Sequence, residues 1–282
     1  MARIFILSDI HISPTHGFFW ENWCVARDLA NKSAADAVIV NGDLTINGPE
    51  SDEEVKFAAL ALKSLRGPVL PLPGNHDVGD EPPGQDPDQI IDTDRLARWD
   101  SAFAVDRWAL DAGSWRLLGV NAQLFGSGLA REQVQDQWLD EQLRSVKRPT
   151  ALFLHKPLFL EHAVDDPVSP ACMAPSVRMQ LLDKLNRYDV RLIVSGHLHQ
   201  HRDRTFGAQR HLWLPAVAFA APQALGGDDR CGVAMLDFSE DAVEVTIERP
   251  HGLISHDLAA IKGYGRYQFL RDMPPSPPPQ AG

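Results

Sequence analysis

Five short segments of this chain each close an apolar run with side chains that bind metals. They are Asp9-Ile10-His11, Gly42-Asp43, Gly74-Asn75-His76-Asp77, His155 and Gly196-His197-Leu198-His199. A fold that uses them together must bring residues from Asp9 to His199 to one place. Strands ending on a common edge do this, and in open α/β sheets ligands bind at the carboxyl ends of the strands. The ligand set holds carboxylates, an amide oxygen and imidazoles, with no thiolate. Such a set suits two divalent cations sharing one site, able to activate a water and stabilise a phosphoryl group under attack.

The apolar runs themselves read as buried strands: Ile4-Phe5-Ile6-Leu7, Ala37-Val38-Ile39-Val40, Val69-Leu70-Pro71-Leu72, Ala151-Leu152-Phe153-Leu154 and residues 190–194. Helical spacing predicts helices over residues 18–32, 53–65, 93–104, 131–146 and 176–188, with Ser51 as an N-cap and Gly67-Pro68 as a stop. A hairpin is expected over 107–110 and 116–120, around Asp111-Ala112-Gly113. Beyond His199 the pattern is wholly β, over 202–206, 209–214, 232–238 and 243–248. Alternating strands and helices followed by a run of strands predict a layered α/β fold with mixed sheets. One domain over residues 1–272 is expected, because the metal-type residues must converge. A Pro-rich disordered tail is expected over 273–282. Asp9 and His11 are two apart, so in extended backbone they would point the same way, as would His197 and His199.

A hydrophobic content of 44% excludes global disorder. A net charge of −11 disfavours long nucleic acids but not a small anion, since bound metals dominate the local potential. Three widely spaced cysteines suggest reduced thiols and a cytoplasmic location. No apolar stretch reaches the roughly 18 residues of a spanning helix, and no signal peptide follows Met1, so no membrane partner is expected.

The ordered set D-x-H, G-D, G-N-H-D, H, G-H-x-H resembles the calcineurin-like metallophosphoesterase superfamily. The resemblance covers roughly the first 200 residues, and any single block is far less specific than the ordered series. Within the superfamily the chain is most similar to class III cyclic-nucleotide phosphodiesterases and bacterial glycerophosphodiesterases. The resemblance implies an α/β four-layer sandwich, two mixed β-sheets flanked by α-helices. It implies two divalent metal ions (Fe, Mn, Zn or Co), one held by Asp9, His11, Asp43 and His199, the other by Asp43, Asn75, His155 and His197. Asp43 would be the bridging carboxylate. Two divalent ions less two carboxylates and a hydroxide leave about one net positive charge, matched to a singly charged diester. The family role of His76 is to contact the phosphoryl group or protonate the leaving alkoxide, with Asp77 fixing its tautomer.

Two departures stand out. The family often has His-His-Pro at the fourth block, where this chain has His155-Lys156-Pro157. Gly42-Asp43-Leu44-Thr45 has no tyrosine three positions after Asp43, against a purple acid phosphatase. The expected reaction is hydrolysis of a small phosphodiester, a cyclic nucleotide or a glycerophosphodiester, by a metal-bridging hydroxide. The rivals are a phosphomonoesterase or nucleotide pyrophosphatase on the same site, and a non-catalytic interaction module; homo-oligomerisation is left open.

Among neighbouring residues, Asn47 reads as a substrate contact or a turn residue. His16, His162 and His201 read as solvated loop histidines. Phe18, Phe19, Trp20 and Trp23 read as a helix core stripe before a pocket wall. The acidic run 80–88 reads as a solvated loop, and 156–175 is long enough to be a lid.

Overall fold

The computed structural model describes residues 1–282 apart from 83, 85, 86, 146, 165, 222, 259, 260, 262–272 and 280–282. The first sheet contains β1 (Ala2–Leu7), β2 (Ala37–Asn41), β3 (Val69–Leu72), β10 (Val233–Phe238) and β11 (Val243–Glu248), in the order β11-β10-β1-β2-β3. The second contains β4 (Trp108–Ala112), β5 (Trp115–Gly119), β6 (Thr150–Phe153), β7 (Val190–Ser195), β8 (Arg202–Phe206) and β9 (Gln209–Trp213), in the order β4-β5-β6-β7-β9-β8. The strands β1, β2 and β3 run parallel, as do β5, β6, β7 and β9, while β1–β10, β10–β11, β4–β5 and β8–β9 pair antiparallel.

The central strands are apolar throughout because both faces are covered. On β1, Ile4 and Ile6 enter the core between the sheets, while Phe5 and Leu7 enter the core beneath the helices. The helices α1 (Trp20–Ala30), α2 (Asp52–Leu62) and α4 (Thr93–Phe103) cover that face of the first sheet. On β6, Ala151 and Phe153 face the first sheet, and Leu152 packs beneath α5 (Ala130–Ser145) and α6 (Pro175–Leu185). The result is four layers, helix–sheet–sheet–helix, as the resemblance implied. Period-two alternation on each strand assigns its side chains to the two cores.

Ser51 caps α2, accepting from Glu54 N. The aromatic cluster before α1 divides. Trp23 is fully buried in the helix-side core and Trp20 packs on Phe57, whereas Phe19 lies before the helix and packs on Phe219. The hairpin turn falls at Gly113-Ser114, so of the expected Asp111-Ala112-Gly113 only Gly113, at φ 60°, is in the turn while Asp111 and Ala112 end the strand. A helix absent from the sequence reading, α3 (Asn75–Val78), is a single turn.

Tail residues 273–279 run beside the loop after β1. Gly17 N donates to Ser276 O and Ser276 N to Thr15 O, both at 2.5 Å, and His16 Nε2 meets Met273 O at 3.0 Å. The last three tail residues lie outside the described ones, as does Val146 at the end of α5. Among the described residues no helix is long and apolar enough to cross a membrane.

Candidate metal centre

Each metal-type block follows the carboxyl end of a parallel strand: β1 leads to Asp9 and His11, β2 to Asp43, β3 to Asn75, β6 to His155, and β7 to His197 and His199. Residues of the two sheets meet there. Extended backbone does not aim the paired residues. Asp9, His11, Asp43, His197 and His199 all have positive φ, at 53°, 42°, 50°, 70° and 54°. Only Ala34 and Ala104 share this conformation among the described non-glycine residues. The expectation of extended Asp-x-His and His-x-His pairs is therefore corrected. Each of these five residues sits at positive φ past its strand, a sparsely populated conformation that surrounding structure must enforce. Enforcement is visible in Asp9 N donating to Gly42 O and His11 N to Asp43 O, both at 3.1 Å, and Gly196 N to His155 O at 2.8 Å.

The side chains converge as two adjoining groups. Ligand atoms of Asp9, His11 and His199 lie within 4.8 Å of one another, as do those of Asp43, His155 and His197. Asp43 Oδ2 is 3.1 Å from His155 Nε2 and 3.8 Å from His11 Nε2, so it stands between the groups. The other carboxylate oxygen, Oδ1, accepts from His76 N at 2.9 Å, which fixes the direction of Oδ2. Asp9 is held likewise: Ser8 Oγ donates to its Oδ2 at 2.5 Å and His197 N approaches its Oδ1 at 3.1 Å.

Backbone carbonyls set the histidine tautomers. His11 Nδ1 meets Thr45 O at 3.1 Å, His155 Nδ1 meets Asn41 O at 2.9 Å, and His199 Nδ1 meets Phe219 O at 3.0 Å. A carbonyl only accepts, so each Nδ1 carries the hydrogen and each Nε2 offers its lone pair inward. His197 is reversed: its Nε2 meets Pro170 O at 2.9 Å, leaving Nδ1 for the centre. These carbonyl groups escaped the sequence reading, because a backbone oxygen leaves no residue-type signal. The Phe219 ring also packs on His199, with centroids 4.0 Å apart.

The residues fit two cations. Asn75 Oδ1 is buried without a hydrogen-bond partner among the described residues, an expensive state that coordination relieves. Burial alone would raise the Asp43 carboxyl, but His155, His76 and His11 outweigh it and hold Asp43 well below its ordinary value. Asp9 is lowered too, burial being outweighed by His199 and His155. Burial pushes His11 well below its usual value, and burial with Lys156 and His155 brings His197 down to about 4. Both are thus neutral, as metal ligands must be. His155 is the exception: burial lowers it, but Asp43 and Asp9 carry it up to about 9, so metal binding there displaces a proton.

His76 is half-buried at the edge of this cluster, its ring edge-on to His11 with centroids 5.1 Å apart. Its Nδ1 meets Ile46 O at 2.9 Å. Ile46, not Asp77, therefore sets its tautomer. The buried Asp77 carboxylate accepts from Gly74 N at 2.8 Å, Leu44 N and Thr45 N at 3.0 Å, and Thr45 Oγ1 at 2.9 Å. It fastens the turn after β2 to the turn after β3. Burial and Asp43 push its carboxyl up to about 7.

Other expectations need amendment. Asp80 and Glu81 are buried, so the acidic run is not wholly solvated. His16 is buried, whereas His162 is exposed and His201 half-buried. Asn47 Oδ1 accepts from Gln89 Nε2 at 3.1 Å, a loop-to-loop tie. Segment 156–175 is fastened down by the fully buried Arg178, which donates to Ala163 O and Asp166 O, both at 2.6 Å. Pro170, whose carbonyl holds His197, belongs to this segment.

Gly74 is required for space. A Cβ there would stand 2.2 Å from Asp43 Oδ1 and 2.4 Å from Asp43 N. The Gly74→Ala protein should therefore lose metal, and melt several degrees lower, since overpacking costs about 1–3 kcal/mol. Wild-type metal content with an unchanged melting temperature would remove this requirement.

The sequence profile of calcineurin-like phosphoesterases matches residues 2–201. The chain belongs to that family. It is 32% identical over 201 residues to the glycerophosphodiester phosphodiesterase GpdQ of Enterobacter lignolyticus, covering 66% of this chain and 64% of that protein. A probable GpdQ of Arcobacter nitrofigilis is 27% identical over 94% of this chain and 96% of its own length. Human serine/threonine-protein phosphatase CPPED1 is 30% identical over 56% of this chain; the match spans about half of that relative's length, 49%. In structure, a dimetal phosphatase from Danio rerio superposes with a TM-score of 0.60 at 15% identity, covering 87% of this chain and 95% of that one, which shows a shared fold. In this family the centre described here is a dinuclear metal site.

Proposed function

We propose that the protein is a dinuclear metal-dependent hydrolase of small phosphodiesters. The observation that carries the reading is the pair of adjoining ligand groups with Asp43 Oδ2 standing between them. Asp9, His11 and His199 would hold one ion, and Asn75, His155 and His197 the other, with Asp43 between them. Two divalent ions held there supply a hydroxide nucleophile near neutral pH and neutralise phosphoryl charge. The chain's own residues do the rest. Carbonyl-locked imidazoles fix the ligand geometry, so little reorganisation accompanies reaction. His76, with Nδ1–H committed to Ile46, presents Nε2 for the phosphoryl group or leaving oxygen.

Preference for a diester is supported by the alignment along nearly the whole of one probable phosphodiesterase. The partial alignment with a protein phosphatase favours the monoesterase rival. A monoester dianion binds a cationic site more strongly, but tighter ground-state binding does not speed reaction. The expected result is a higher kcat/KM for bis-nitrophenyl phosphate than for the mono-nitrophenyl ester, measured with Mn²⁺ at one pH. Glycerophosphoethanolamine and cyclic AMP then address substrate identity. A monoester preference of about tenfold, roughly 1.4 kcal/mol in transition-state stabilisation, would replace the diesterase reading with the phosphatase one.

A further inference from the structure

Lys156 directly follows His155, and its side chain is only 1% exposed. Enclosing an ammonium costs several kcal/mol unless it is paired. Its Nζ lies 2.5 Å from Asp80 Oδ1 and 3.7 Å from Glu81 Oε1, and both acidic side chains are buried as well. Asp80 is firmly placed. It stands two residues past α3, beyond Gly79 at φ 87°. Its backbone N donates to Gln89 O at 2.8 Å, and its carbonyl accepts from Ile91 N at 2.9 Å. Oδ1 also accepts from Glu81 N at 3.0 Å.

The pair therefore joins two segments that matter to one ion position. Asn75 opens α3 and belongs to the first sheet's edge, whereas His155 follows β6 of the second. Across this seam His155 Nε2 lies 3.1 Å from Asp43 Oδ2, whereas Asn75 Oδ1 is buried without a hydrogen-bond partner among the described residues. At the other ion position, His199 Nε2 of the second sheet lies 3.3 Å from Asp9 Oδ1 of the first.

We infer that Lys156 and Asp80 form a buried latch that positions Asn75 and His155 across the two sheets and so sets the affinity of that ion position. Lys156 is a positioning residue here, and its long stem and single charge suit a buried tie between turns. Glu81 is the lesser partner: burial pushes it up to about 8 against the nearby ammonium, so it is largely uncharged at neutral pH.

The test is calorimetric titration of metal-free, full-length protein with Mn²⁺, alongside thermal melting. Lys156→Met alone removes the cation beside the buried Asp80 carboxylate and is expected to destabilise the protein. The double variant Lys156→Met/Asp80→Asn removes both charges while keeping an acceptor for Glu81 N. It is expected to melt near the wild type, to bind one ion about 10–100-fold more weakly, and to leave the other unchanged. Glu81→Gln should leave both affinities unchanged. Wild-type affinity at both positions in the double variant overturns the inference. So does an equal loss at both, or a melting temperature far below wild type, since the network would then serve the fold rather than one ion.

Discussion

In the Asp43→Asn protein both metal positions are expected to empty or weaken, and kcat to fall by about 10³-fold or more. Losing one preorganised electrostatic contact to a transition state already costs about 10²–10³-fold, and Asp43 serves both ions. The geometry leaves the amide no good orientation. Asp43 Oδ1 accepts from His76 N, while Oδ2 points between His155 and His11. If the asparagine oxygen keeps the His76 bond, its NH₂ group points at the cations. If the amide turns over, NH₂ meets the His76 N–H instead. His199→Ala, by contrast, should weaken chiefly the position it shares with Asp9 and His11. Elemental analysis of the purified variants separates the two patterns. Two tightly held ions in Asp43→Asn, with normal turnover, would end the bridging assignment.

What made this centre legible was the coincidence of two signals at each block. Strands such as Ile4–Leu7 and Ala37–Asn41 are buried on both faces, so they stand out as unbroken apolar runs. Their carboxyl ends carry side chains that have no reason to sit in a core unless they bind something. Order along the chain then supplied the family. Local conformation was less legible. A spacing of two suggested extended Asp-x-His, yet both residues adopt positive φ, because the chain must turn out of the strand to aim them. Nothing in a residue's type announces that strain.

Packing hid other features. Arg178 looks like an ordinary helix-surface arginine, yet it is fully buried and threads the carbonyls of segment 156–175. Asp80 and Glu81 begin an acidic, proline-rich stretch that reads as solvated, yet both are enclosed beside the buried Lys156 across the seam. The resemblance implies that Asp77 fixes the His76 tautomer, but on the single turn α3 neighbouring side chains diverge. The carboxylate consequently fastens the two turns instead of orienting the imidazole.

His76→Ala should keep both ions and lose about 10²–10⁴-fold in rate with poor leaving groups, the usual range for general acid–base assistance. Metal retention follows from the structure, because the contact of His76 with Asp43 is through backbone N–H, which alanine preserves. Loss of rate follows from the side chain. A carbonyl acceptor at Ile46 requires the hydrogen on Nδ1, so the imidazolium presents its second proton at Nε2, and the neutral ring presents a lone pair there. Protonation of a departing alkoxide draws on that second proton; a nitrophenolate needs little help. The deficit should therefore shrink sharply from glycerophosphoethanolamine to bis-nitrophenyl phosphate. It should also appear in kcat and not solely in KM, since proton transfer to the leaving oxygen develops only in the transition state. Equal deficits for both substrates would contradict the acid role and leave phosphoryl positioning as the function of His76. Loss of an ion in His76→Ala would instead make it part of the metal-holding set.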